Sequence, residues 1–162
     1  MAYYRAEGYD CQRSIGFLLR RVTTLTLGQI EAAFAGNDIT FSQWVVLMQV
    51  GDGVAETAAD VVRNTGHDSG ALTRLIDQLE QRGLIERHRC SNDRRIAKLR
   101  LTRAGQEAAQ MLTPIAVKFF NDLLKGFTLA EVDVLIGLLT RLQDRLCPLL
   151  HPANPSIEET SL

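Results

Sequence analysis

The chain has 162 residues, 46% hydrophobic and 23% charged, with a formal net charge of −1 and three cysteines. That length suits one domain, or one domain with an assembly element; no run of 18 apolar residues offers a membrane span, and residues 1–14 carry acids and lack the apolar core of a secretory signal. Three thiols (Cys11, Cys90 and Cys147) do not make a disulfide framework in a chain this long, and they fit a reducing cytoplasm.

Over 11–34, Ile15, Leu18, Leu19, Val22, Leu25, Ile30, Ala33 and Phe34 recur mostly at three- and four-residue steps, which predicts a long amphipathic helix stopped by Gly36 and Asn37. Thr40 and Gln43 have the spacing of a capping box, with Ile39 and Trp44 as its hydrophobic staple, so a second helix runs to about Val50. Thr57 and Asp60 open a short third helix that Gly66 closes. A fourth helix starts near Asp68 and Ser69 and ends before Gly83. Its apolar stripe is Leu72, Leu75, Ile76 and Leu79. Ser69, Gly70, Thr73, Arg74 and Asp77 occupy the other faces, where small residues and one arginine suit close approach to another molecule.

The period then changes from helix to strand. Ala97, Leu99 and Leu101 alternate with Ile96, Lys98 and Arg100, residues 84–90 read as the partner strand, and 91–95 is turn-like. Thr102 caps a fifth helix over about 103–125, which Pro114 is expected to kink or break. Thr128 and Glu131 form another capping box, starting a sixth helix that runs to about Leu146 and ends at Pro148. The polar, proline-bearing tail within 148–162 has the composition of a disordered segment.

Charge is segregated along this order. The window 82–103 holds eight of the eighteen Lys/Arg and two of the nineteen Asp/Glu, so the hairpin is basic while the remainder of the chain is acidic. Such separation points to an acidic partner for one edge of the molecule. The fold class is therefore mainly α with a small β-hairpin. A short helix pair followed by a basic hairpin is the layout of a winged helix-turn-helix.

The segments 40-TFSQWVVL-47, 57-TAADVVRNTGHDSGALTRLIDQLEQRGLIER-87 and 93-DRRIAKLRLTRAG-105 together resemble the MarR family of bacterial transcriptional regulators, over about residues 10–147. The last carries the wing pattern D-x-R followed by L-T-x-x-G. The resemblance implies a cytoplasmic homodimer without enzymatic activity or cofactor. It assigns dimerisation helices to 10–36 and 103–147 and a winged helix-turn-helix to 37–102. The double-stranded operator would be met by Asp68, Ser69, Gly70, Thr73 and Arg74 on the fourth helix and by Arg94, Arg95 and Lys98 on the wing. Arg95, the R of D-x-R, would enter a minor groove, where narrowing strengthens the negative potential. Arg87 and Asp93 would pair to support the wing. The family further implies a repressor released by a small aromatic or phenolic effector, with Arg13, Trp44 and His67 as its pocket candidates. Thr65 and His67 stand where the family usually has apolar residues.

Other chemistries have weaker signals. Some relatives sense peroxide through a cysteine in the first helix, but Gly16 occupies the aligned position here, and Cys11 lies only nearby. A thiol switch is thus an alternative, as is an interaction module without specific DNA readout. His88 with Cys90, and Cys147 with His151, do not complete a metal site, and no nucleophile elbow, phosphate loop or clustered carboxylate pair is present.

Overall fold

Most helix starts fall where side chains can cap them. The computed structural model describes residues 2–66, 68–89 and 97–150, with the backbone alone at Arg89 and at 147–150. In chain order, a 3-10 turn at Cys11–Arg13 is followed by α1 (Ile15–Phe34), α2 (Phe41–Gly51), α3 (Ala58–Thr65), α4 (Ser69–Gln81), β1 (Ile85–Arg89), β2 (Ala97–Leu101), α5 (Arg103–Leu123) and α6 (Leu129–Leu150). The chain divides into two compact units, Met1–Phe119 and Phe120–Leu162.

The capping boxes form as their spacing requires. Thr40 Oγ1 accepts from Gln43 N while Thr40 N donates to Gln43 Oε1, and Thr57 and Asp60 repeat the exchange at α3. Thr128 and Glu131 do the same before α6. Each arrangement satisfies amides that a helix start otherwise leaves without partners. Gly66 ends α3 with φ 68°, a left-handed conformation that costs glycine little.

Three expectations need correction. The first helix is not continuous from Cys11: Ser14 takes extended backbone angles, accepts from Phe17 N, and separates the 3-10 turn from α1. Pro114 does not break α5, which is helical from Arg103 to Leu123. Nor does Pro148 end α6, whose backbone stays helical to Leu150. The locked φ of proline is itself helical, so the local loss is a donor and some crowding of the preceding turn. In α5 the buried Ala109, Leu112 and Ala116 hold the turns on both sides of Pro114. The expected tail at 151–162 lies outside the described residues.

The core of the first unit gathers one apolar face from each of α1 to α5 and the hairpin. Ile30, Val46, Leu47, Val61, Ile76 and Leu79 are fully buried, and Leu84, Ile85 and Leu99 close the hairpin onto them. Phe34, Phe41 and Trp44 pack with ring centroids 5.5 to 5.8 Å apart, within the range where aromatic pairs attract. Glu31 on α1 reaches the start of α2, accepting from Phe41 N, Ser42 N and Ser42 Oγ, which adds a distant cap to the local one. The strands pair antiparallel with Ile85 opposite Leu101 and Arg87 opposite Leu99. Glu56 and Thr57 add a short third edge: Leu99 N donates to Glu56 O at 2.7 Å, and Thr57 bridges Lys98.

Candidate nucleic-acid interface

Helix α4 is fixed by its buried side and leaves the other side open. Leu72, Ile76 and Leu79 are at most 1% exposed. Gln78 Oε1 accepts from Gln43 Nε2 at 3.1 Å, tying α4 to α2 through the same buried glutamine that completes the α2 cap. Ser69, Gly70, Thr73 and Arg74 are exposed on the opposite side. Arg74 makes no ion pair among the described residues, so its guanidinium is available to base edges or phosphates.

Asp68, exposed at the start of α4, has a structural job as well. Its carboxylate accepts from Gly70 N and Ala71 N, both at 3.0 Å, and so serves as the N-cap of α4. A capping carboxylate holds the helix end, whereas phosphate contact would set like charges together. Gly70 follows from this cap: a Cβ there would sit 3.2 Å from Asp68 Oδ1. The pair therefore keeps a slim, well-ordered first turn on the face that approaches a partner.

Departures around the helix-turn-helix turn are accommodated locally. Thr65 Oγ1 donates to Val61 O at 2.6 Å, which satisfies a hydroxyl where an apolar side chain was anticipated. His67 lies outside the described residues, as do Cys90, Asp93, Arg94 and Arg95.

On the hairpin, alternation sorts the side chains by face. Ile85 and Arg87 share the parity of the buried Leu99, while Glu86, His88, Lys98 and Arg100 share the other. Arg87 therefore projects towards α4, where its Nη2 is 2.6 Å from Asp77 Oδ1 and its Nη1 is 2.7 Å from Glu80 Oε2. These described partners of Arg87 belong to α4, and the expected pairing with Asp93 lies outside the described residues. Sequence reasoning missed Asp77 and Glu80 because the pairing is made across the fold. Lys98 Nζ is 2.5 Å from Glu56 Oε2 in a solvent-exposed pair, so its expected phosphate contact competes with a carboxylate. His88 Nε2 lies 2.7 Å from Glu86 Oε1.

The join between hairpin and α5 explains the L-T-x-x-G pattern. Thr102 Oγ1 donates to Gly83 O at 2.6 Å and accepts from Gly105 N at 3.0 Å, while Thr102 N donates to Leu84 O. Gly105 lies so close that an added Cβ would come 2.0 Å from Leu84 O. Threonine links the strand end to the helix start, and glycine permits the contact.

The described pocket candidates serve different elements. Trp44 donates its indole N–H to Ala109 O at 3.1 Å within the aromatic cluster, an anchor between α2 and α5. Arg13 lines a concavity of about 380 Å³ at the N-terminal hook with Tyr4, Tyr9 and Asp10. No hydrogen bond, ion pair or ring contact joins Arg13 to Trp44 among the described residues. Cys11 is a free, exposed thiol. No helix of the described chain is long and apolar enough to cross a membrane.

Comparison with known proteins agrees with this geometry. Residues 37–96 match the model of the MarR family. A Bordetella bronchiseptica structure described as showing the mechanism for regulation of BpsR DNA binding by 6-hydroxynicotinic acid is 26% identical, with a TM-score of 0.74, covering 84% of this chain and 97% of that one. A cysteine-to-serine variant of E. coli MarR complexed with operator DNA is 27% identical, with a TM-score of 0.70, covering 83% of this chain and 99% of that one.

Proposed function

Because the chain belongs to the MarR family of DNA-binding transcriptional regulators, we propose that it acts as a homodimeric repressor released from its operator by a small aromatic or phenolic ligand. The family's members are non-enzymatic regulators. The observation that carries the reading is the two-sided character of α4: Leu72, Ile76 and Leu79 bind it to the core, and Ser69, Gly70, Thr73 and Arg74 face outward beside the basic hairpin. A helix so presented fits the major groove, where the edge pattern of each base pair is distinct. Two copies related by a two-fold axis read half-sites about one helical turn apart, which makes the operator a pseudo-palindrome.

The long helices supply the reason for a second copy. Val134, Leu135, Ile136, Leu138, Leu139, Leu142 and Leu146 of α6 are all at least 37% exposed, as are Ile15, Leu18, Leu19, Val22, Leu25 and Leu27 of α1. Exposed apolar residues in such number along each of the two helices mark assembly faces. Dimerisation through 10–36 and 103–147 covers it, and the winged helix at 37–102 remains free for DNA.

The repressor assignment draws support from E. coli MarR, which is named a multiple antibiotic resistance repressor. The ligand class draws support from the Bordetella relative, whose DNA binding is regulated by a hydroxylated aromatic acid. In this chain Arg13 is the described cation proposed to meet the carboxylate, with His67 as its companion; Trp44 contributes as part of the wall that positions α2. Release requires that the ligand favour a conformation whose two α4 helices no longer match the groove spacing, since equal affinity for both conformations shifts nothing. Arg95 enters the minor groove, Asp93 shapes the wing, and Arg94 and Lys98 add phosphate contacts.

Titration with salt on the selected operator and on a random duplex tests the reading. Specific binding predicts a large affinity ratio that survives at high salt; equal affinity for the two duplexes at every concentration overturns it. On the wing, Arg95→Ala is expected to cost about 1–3 kcal/mol of operator binding, and unchanged affinity refutes its minor-groove role.

A further inference from the structure

We propose that Arg87 supports DNA reading through α4: by pairing with Asp77 and Glu80 together, it cancels negative charge on the reading helix that would oppose a duplex. This rests on α4 being the reading helix.

The electrostatic problem is visible along α4 and its cap. Residues 68–81 contain Asp68, Asp77 and Glu80 against one cation, Arg74. Asp77 falls four residues after Thr73 and three after Arg74, which places it on the continuation of the outward stripe. Glu80 is one further turn along. A duplex presents a phosphate charge about every 1.7 Å of its axis, so an acidic distal half disfavours entry of the helix into a groove.

Arg87 supplies the missing charge from the next element. Its two terminal nitrogens take one carboxylate each, at 2.6 and 2.7 Å, and its side chain is 31% exposed. A planar guanidinium can serve two carboxylates in fixed directions; a lysine ammonium is a single compact charge and does not reproduce the fork. Register accounts for the aim, because Arg87 lies opposite the buried Leu99 on the α4-facing side of β1. One residue of the neighbouring strand thus offsets the charge of the reading helix.

Two rival roles make different predictions. If Arg87 touches phosphate, its loss is not repaired by removing the acids. If Asp77 accepts from a cytosine amino group, its amide variant weakens binding. The test is fluorescence anisotropy with the full chain on a duplex selected by the wild-type protein from a random pool, at several salt concentrations. The variants are Arg87→Gln, Arg87→Lys, the pair Asp77→Asn with Glu80→Gln, and the triple variant, with Arg74→Ala as control.

Arg87→Gln is expected to weaken binding about tenfold, with Arg87→Lys recovering part of the loss. The triple variant is expected to return to within about threefold of wild type, and the acid pair alone to bind at least as tightly as wild type. A triple variant as weak as Arg87→Gln overturns the proposal, and so does weaker binding by the acid pair. Should Arg87→Gln fail to fold by circular dichroism, the acid pair decides alone. Loss in Arg74→Ala with none in Arg87→Gln overturns the clamp and leaves the α4 reading intact; no loss in either overturns that reading too.

Discussion

Helices α4 and α6 carry the same kind of apolar spacing and meet opposite surroundings. Leu72, Ile76 and Leu79 of α4 are at most 1% exposed, whereas Leu135, Leu138 and Leu142 of α6 are 37–49% exposed. A helical period reports that a stripe exists; what covers it is a separate physical fact. The winged-helix region completes its core within one chain. The proposed dimer completes that of the long helices.

Four measurements can break or sharpen this contrast. The largest effect is expected at the closed side. Gly105→Ala forces a methyl against Leu84 O, a backbone atom that cannot step aside as a side chain would. Its cost is expected to be about 3 kcal/mol or more, read as a lower midpoint in thermal unfolding. A midpoint unchanged from wild type would show that the hairpin–α5 contact has slack. Next comes the open side: Leu138→Glu should leave the winged-helix core folded and shift sedimentation towards the monomer. If the variant sediments as wild type, α6 is not the assembly face.

The remaining two effects are smaller. Trp44→Phe keeps the aromatic packing and removes the indole donor to Ala109 O, which retains the Thr113 hydroxyl as a donor at 2.9 Å; about 1 kcal/mol of stability should be lost in denaturant unfolding. Asp60 gives the mildest test. The Thr57 hydroxyl is the largest influence on its carboxyl; burial, the next largest, raises the value, and the Arg63 guanidinium with the Thr57 and Glu56 amides helps hold it below the ordinary 3.8. A depressed folded value means that the stabilisation is present above pH 3.8 and disappears as pH falls through the folded value. Asp60→Asn should therefore be less stable than wild type at neutral pH and flatter below about pH 4, as followed by acid titration of the helical signal. Parallel titration curves would remove the cap from the account of acid stability.

The parts legible in the sequence are those encoded within a few residues. Thr40 with Gln43, Thr57 with Asp60, and Thr128 with Glu131 announce their helices because both partners fall in one turn. The outward stripe of α4 is likewise readable from its period. Contacts across sequence distance are not. Glu31 capping α2, Gln43 meeting Gln78, and Glu56 meeting Lys98 depend on how elements pack. The Arg87 pairing shows the boundary well: a supporting role for this arginine could be inferred from the wing pattern, but its α4 partners follow from strand register and helix placement. The two prolines mark the opposite error, a local rule overridden by the helix around it.

The Thr102–Gly105 junction has a mechanical consequence. With Thr102 hydrogen-bonded at both ends and no space for even one carbon between Gly105 and Leu84, the hairpin base and the first turn of α5 form a joint without play. Such a joint couples the orientation of that turn to the base of the hairpin, so that one threonine-glycine step ties the two elements into a single mechanical unit.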